Sequence, residues 1–283
     1  LSDLDCSVAS VYVHPIKSCA GVAASESLLI ETGLEFDRAW MLADPQGQPI
    51  TQREVPRMAL IRPTLRLDDM VLRAPGMLAL HIALDRVETA TRASIWGTEV
   101  RAFEMGALAA QWFSDYLGRP ARLLRFDPEQ RRLADPEWTA GHAAESAFAD
   151  GFPLLVTSMA SLAELNSRLT ARGVAAVGIE RFRPNLVLDG LQAFEEDHID
   201  EITIGTEEGE VRLKLVKPCV RCSIPSVDPA TGEQGVEPGA TLAGFRADAR
   251  MKGGITFGMN AIVLGGIECT LRPGQRAAVT LNF

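Results

Sequence analysis

Val211-Arg-Leu-Lys-Leu-Val216 runs directly into Lys217-Pro-Cys-Val-Arg-Cys-Ser-Ile-Pro-Ser-Val-Asp-Pro-Ala-Thr-Gly232. The first six residues read as a β-strand. At its end two thiols, Cys219 and Cys222, stand three residues apart with Arg221 between them. A cation beside a thiol favours the thiolate, the form that ligates metal or attacks. A structural zinc site usually needs a second such pair, and none exists. A thioredoxin-like redox pair opens a helix, which Pro225 and Pro229 deny. Two unreactive cysteines at a strand end stay open as a reading, because a lone CxxC is common.

Outward from this stretch the chain reads as short strands separated by turn residues. In the first third these are Ser7–Val13, Glu26–Ile30, Ala39–Leu42, Ala59–Leu65, Met70–Arg73, Met77–Ile82, Thr91–Ile95 and Val100–Phe103. Gly, Pro and Asp clusters divide them, a pattern that suits a barrel or sandwich. The spacing of Leu108, Trp112 and Phe113 predicts a helix over 106–117, stopped by Gly118 and Pro120. Phe126 to Ala149 is polar and without period, and reads as a surface connection. Beyond it come a buried strand over 152–157 and a helix capped by Ser158 or Ser161, in which Glu164 would complete a capping box with Ser161. Strands follow over 182–189, 202–204, 211–216, 261–264 and 277–281.

Composition limits the function classes. The 283 residues are 47% hydrophobic and 23% charged, with a formal net charge of −9. That is a globular balance without the basic footprint of a nucleic-acid binder. Any bound anion must be held by a local cluster of cations. No uncharged apolar run approaches the roughly 18 residues of a membrane span, and the first residues lack signal-peptide features. The expectation is a cytoplasmic protein without membrane association. Five scattered cysteines make a poor disulfide framework and fit a reducing compartment.

Two further segments offer cations at strand ends. Arg181-Phe-Arg-Pro-Asn185 presents Arg183, whose fork of donors suits phosphate. Taken alone, it reads better as an edge strand with solvated arginines. His14-Pro-Ile-Lys-Ser-Cys-Ala-Gly21 places Lys17 and Ser18 before a glycine without P-loop spacing. The four histidines do not cluster in sequence.

Taken in order, these segments resemble the MOSC family, in its branch with an N-terminal β-barrel domain that includes the mitochondrial amidoxime-reducing component. The pieces are Tyr12-Val-His-Pro-Ile-Lys-Ser-Cys-Ala-Gly21, Phe36-Asp-Arg-Ala-Trp-Met-Leu42, Thr51-Gln-Arg-Glu-Val-Pro-Arg57, Ser158-Met-Ala-Ser-Leu-Ala-Glu-Leu-Asn166, Arg181-Phe-Arg-Pro-Asn185, Phe194-Glu-Glu-Asp197 and Pro218-Cys-Val-Arg-Cys through Gly232. The resemblance implies a mainly β (α+β) protein. Residues 1–125 would form the N-terminal MOSC β-barrel-like domain and 126–149 a connection. Residues 150–283 would form the MOSC β-barrel domain with peripheral helices.

The resemblance further implies the molybdenum cofactor, molybdopterin-bound, with Cys222 as the protein's metal ligand and catalytic thiolate. Soft thiolate suits such a site. Asp228 would serve catalysis by ordering the loop beneath the metal. Cofactor contacts would fall on Lys17, Ser18, Arg38, Thr51, Arg53, Ser158, Arg183, Asn185 and Arg221. Pyridoxal phosphate is not expected. The implied activity is reduction of small N-hydroxylated compounds or N-oxides. A separate ferredoxin- or flavin-type protein is expected as electron donor, since no iron–sulfur cysteine run follows before Phe283. The alternative is a sulfur-carrier or cofactor-handling module using a cysteine persulfide. Two positions depart from the family pattern: Val220 between the thiols, and His198 where tryptophan is usual.

Overall fold

The structure, a computed structural model, describes residues 2–282. Alternation of buried and solvent-facing residues, as in Val211, Leu213 and Leu215 against Arg212 and Lys214, makes amphipathic strands. Seven such strands close a barrel. In hydrogen-bonded order they are Leu154–Ser158, Leu186–Asp189, Leu4–Val13, Arg276–Leu281, Ile199–Gly205, Glu210–Val220 and Gly254–Gly265, and the last pairs back onto the first. Closure removes sheet edges. Val8, Val11, Val156, Leu188, Ile202, Leu213 and Val279 fill the interior. Leu154–Ser158 and Leu186–Asp189 run parallel. Their connection carries helix α2 (Met159–Ala171), because parallel neighbours need a long crossover.

The opening strand Leu4–Val13 lies between Leu186–Asp189 and Arg276–Leu281. In space it therefore belongs to the barrel, although in sequence it precedes the N-terminal unit. That unit holds a four-stranded sheet, ordered Trp40–Ala43, Arg122–Phe126, Thr98–Glu104 and Ala90–Ile95. A meander of Arg62–Leu65, Asp69–Arg73 and Leu80–Ala83 and helix α1 (Ala107–Leu117) pack with it around Trp40, Leu72, Trp112 and Phe113.

Several local expectations change. Leu108 is 73% exposed, and the buried face of α1 is Ala109, Trp112, Phe113 and Tyr116. Pro56 starts a 3-10 turn over Pro56–Leu60, its fixed φ suiting a first helical position, so the strand begins only at Arg62. Phe182 ends another 3-10 turn, and Arg183 then adopts φ 57°, which delays the strand to Leu186. Ser158 caps α2 by accepting from Ser161 N; Glu164 pairs instead with Arg168 one turn on.

The polar segment 126–149 is more than a surface connection. Phe148 packs with Met41, Leu124 and Phe126, while Ala134 and Ala144 pack on Ile262 of the barrel. Small alanines bury without the periodicity that reveals a helix or strand. The segment thereby seams the two units together and delivers Asp150 to the space between them.

Candidate functional site

The site is a cavity of about 130 Å³ whose walls come from both units. The N-terminal wall begins where the opening strand ends. Ile16 is fully buried against Trp40, and Lys17 N donates to Trp40 O at 2.8 Å. This turns the Lys17 side chain inward. Its Nζ donates to Phe148 O at 2.7 Å and to Asp150 Oδ1 at 2.5 Å. Burial lowers the Lys17 pKa, against the opposing pull of Asp150. Ser18, buried at φ 69°, and Thr51, buried, line the same wall.

Arg53 approaches Asp150 at 3.4 Å. Burial lowers its pKa, but the Cys222 sulfur and then Asp150 raise it further, so the net shift is upward. Asp150 itself is held well below the usual carboxylate range. Desolvation pushes it up, and the charges of Lys17, Arg53 and Arg38 outweigh that. Its side chain is 63% accessible through the open cavity, so water screens these pairs.

Arg38 joins the walls. Its guanidinium donates to Asp37 Oδ2 at 2.6 Å, to Asn185 Oδ1 at 3.0 Å and to Arg183 O at 3.0 Å. Asn185 also accepts from Leu155 N at 3.1 Å and donates to Tyr12 O at 3.2 Å, tying three barrel strands. Its role in the site is to position Arg38. Arg183 Nη1 donates to Cys19 O, while its buried Nη2 has no partner among the described residues. Burial and the neighbouring Arg38 lower its pKa to about 10.

The opposite wall carries the thiols. The register of Glu210–Val220 against Gly254–Gly265 slips between Leu215 and Lys217 and again between Pro218 and Val220. Bulges re-aim side chains, and here they deliver Cys219 and the loop after it to the cavity. Arg221 donates to Cys219 Sγ at 2.9 Å and to Phe182 O at 2.8 Å, leaving its buried Nε without a partner among the described residues. The cation between the thiols thus serves Cys219, which is half-buried. Cys222 is exposed on the cavity wall, which Arg53 also lines.

Lys17, Ser18, Arg38, Thr51, Arg53, Arg183, Asn185, Arg221 and Cys222 therefore line one cavity despite their distance in sequence. Ser158 and Asp228 do not line it. Ser158, fully buried, caps α2 and donates to Glu196 Oε2 at 2.9 Å. The acidic Phe194-Glu-Glu-Asp197 segment thus braces that helix, with Asp197 paired to Arg246 at 2.6 Å. Asp228 accepts from Ala230 N at 2.7 Å and from Arg181 at 2.8 Å. These backbone and guanidinium bonds lower its pKa and order the loop after the thiols.

Motif reading missed Asp150 and Trp96. Asp150 closes a segment without motif or period. Trp96 is 51% exposed at φ 50° in the turn before Gly97, with Arg53 4.8 Å and Lys17 5.5 Å from its ring. A bulky residue at positive φ is uncommon. Its place between two strand candidates was the available signal.

Comparison with known proteins agrees with this arrangement. Residues 6–120 match the MOSC N-terminal beta barrel domain and residues 143–277 the MOSC domain. The chain is 36% identical to mitochondrial amidoxime reducing component 2 of Rattus norvegicus, covering 84% of this chain and 72% of that protein. It is 35% identical to mitochondrial amidoxime-reducing component 1 of Homo sapiens, with the same coverage of each. Molybdenum cofactor sulfurase of Homo sapiens is 28% identical over 80% of this chain but only 27% of its own length. With both domain models matched in order around one shared cavity, the chain belongs to the MOSC family, in the branch that carries the N-terminal MOSC β-barrel domain.

Proposed function

We propose that this protein binds the molybdenum cofactor in the inter-unit cavity and reduces N-hydroxylated compounds or N-oxides with electrons from a separate protein donor. The observation that carries the reading is the pairing of an exposed cysteine with unfinished cations. Among the described residues, Arg183 Nη2 and Arg221 Nε are buried nitrogens without partners, on the cavity that Cys222 lines. Buried donors are almost always satisfied, so an acceptor-rich anion fits here. A pterin phosphate with a thiolate-bound metal supplies both requirements. The relatives' printed activity, amidoxime reduction, points to the same substrate class.

Within that reading, Cys222 holds the metal and Lys17, Arg183 and Arg221 hold the anionic part of the cofactor. Arg53 stays beside the sulfur, and Asp150 balances Lys17 and Arg53 when no anion is present. Bound in this way, the group supplies two-electron removal of an oxygen atom. Asp228 and Asn185 act by positioning, the first through the loop after the thiols and the second through Arg38.

Cys222→Ala is expected to lose both molybdenum and all measurable reductase activity with a reduced viologen donor. Cys219→Ala should retain metal and part of the turnover, with the loss of its Arg221 contact setting the size of the defect. Metal analysis of protein from a cofactor-producing host decides this. A labelled persulfide with no metal lost from either variant would establish the sulfur-carrier alternative, which the sulfurase likeness favours.

A further inference from the structure

A second cavity, of about 460 Å³, lies beside the first and shares Arg183 and Ile224 with it. Both units build its remaining walls, with Val22, Gln52, Ala59 and Pro63 on one side and Val227 on the other. Gln52 stands between Thr51 and Arg53 in sequence, yet those two line the first cavity and Gln52 the second. It is only 4% exposed, and its Oε1 has no hydrogen-bond partner among the described residues. A buried carbonyl oxygen left without a donor is costly, so the cavity is shaped for a molecule that brings an N–H or O–H.

The rest of the lining narrows the chemistry. Arg181 is already paired with Asp228 at 2.8 Å. Arg62 and Glu180 oppose each other in sign. Arg183, shared with the first cavity, is committed to the anion proposed there, so the remaining walls suit a neutral or weakly charged molecule better than a second phosphate. Val22, Ala59, Pro63 and Val227 offer apolar surface, and small-molecule sites typically combine such walls with a few polar groups.

We propose that the second cavity holds the body of the substrate, an amidoxime-class molecule whose amino N–H donates to Gln52 Oε1 and whose apolar part lies on Val22, Ala59, Pro63 and Val227. Ile224, two residues beyond Cys222, borders both chambers, so a molecule seated here reaches toward the thiol. Gln52 is thereby a specificity-determining residue. The inference rests on Cys222 being the reaction centre.

The test is binding of benzamidoxime to metal-free protein by titration calorimetry, in the wild type, Gln52→Leu, Thr64→Trp and Cys222→Ser. Thr64 is exposed on the cavity lining, so an indole there fills the chamber with little cost to the fold. Melting curves check that each variant folds. The wild type and Cys222→Ser should bind alike, Gln52→Leu about ten-fold more weakly, the ordinary size of one lost hydrogen bond, and Thr64→Trp not at all. Unchanged binding in either cavity variant, or no binding to the wild type, overturns the proposal. Molybdenum content of cofactor-loaded protein is measured beside it. Gln52-dependent binding without molybdenum would sink the functional reading and leave the cavity assignment standing. Molybdenum present with indifferent binding would do the reverse.

Discussion

The two walls of the first cavity carry cations in opposite conditions. On the N-terminal wall Lys17 and Arg53 share Asp150, and Arg38 has Asp37. On the other wall Arg183 and Arg221 form no ion pair among the described residues. They spend their donors on backbone carbonyls and a sulfur, and each keeps one buried nitrogen idle. A compensated cation can shape a pocket without craving an anion; an uncompensated buried one cannot. The contrast predicts that anion affinity rests chiefly on Arg183 and Arg221, with Lys17 and Arg53 adding less while Asp150 offsets them.

The largest expected effect separates the walls directly. Arg183→Gln should weaken pyrophosphate binding to metal-free protein about ten- to hundred-fold, the size of hydrogen bonds to a charged group. Arg53→Gln should weaken it only about two- to three-fold, because Asp150 already offsets that charge. Equal losses, measured by calorimetry, would erase the distinction between the walls. A smaller effect runs in the opposite direction. Asp150→Asn frees Lys17 and Arg53, so pyrophosphate affinity should rise a few-fold, more at low salt because the site is open to screening. A fall in affinity would show that Asp150 orders the cations rather than masking them.

The smallest effect is a pH dependence beneath the Arg183 wall. His14 is buried, with Arg38 and Arg183 beside it; desolvation first and then those charges hold its pKa well below 6.5. Its pKa is thus depressed in the folded state, so the unfolded chain takes up the proton first as pH falls. Stability from neutral His14 is full above about 6.5 and declines progressively below it. Melting temperature should therefore drop by a few degrees between pH 7 and pH 5, and less in His14→Gln. Parallel curves would place His14 outside the balance of this wall.

Much of this was legible in sequence, and the exceptions share a physical character. Strand alternation and glycine–proline punctuation marked most of the sheet, and the ordered motifs named the cavity residues, Cys222 among them. Ser158 carries a cofactor-motif position yet spends its side chain on the helix cap that its place before α2 also signalled, and Asp228 orders the loop as the resemblance implied without lining the cavity. A motif fixes which residues occur, not which hydrogen bonds they prefer. Leu108 looked buried because it is apolar, although one residue of rotation turns it outward in favour of Ala109. Asp150 and the alanines of 126–149 left no trace because small-residue burial and a lone carboxylate have no period. The pairing of Arg221 with Cys219 rather than Cys222 depends on two strand bulges, which residue identities alone do not signal.

The opening strand has a consequence in time. Leu4 pairs with Val279 and Ser7 with Arg276, so the barrel joins segments made far apart in synthesis. Such distant pairings fold slowly, because loop closure must be completed before the contacts reward it. The N-terminal unit, with its own core, can form early, but the barrel that carries Cys222 closes only when Arg276–Leu281 takes its place between Leu4–Val13 and Ile199–Gly205. Assembly of the barrel that carries Cys222 thus depends on strands far apart in sequence.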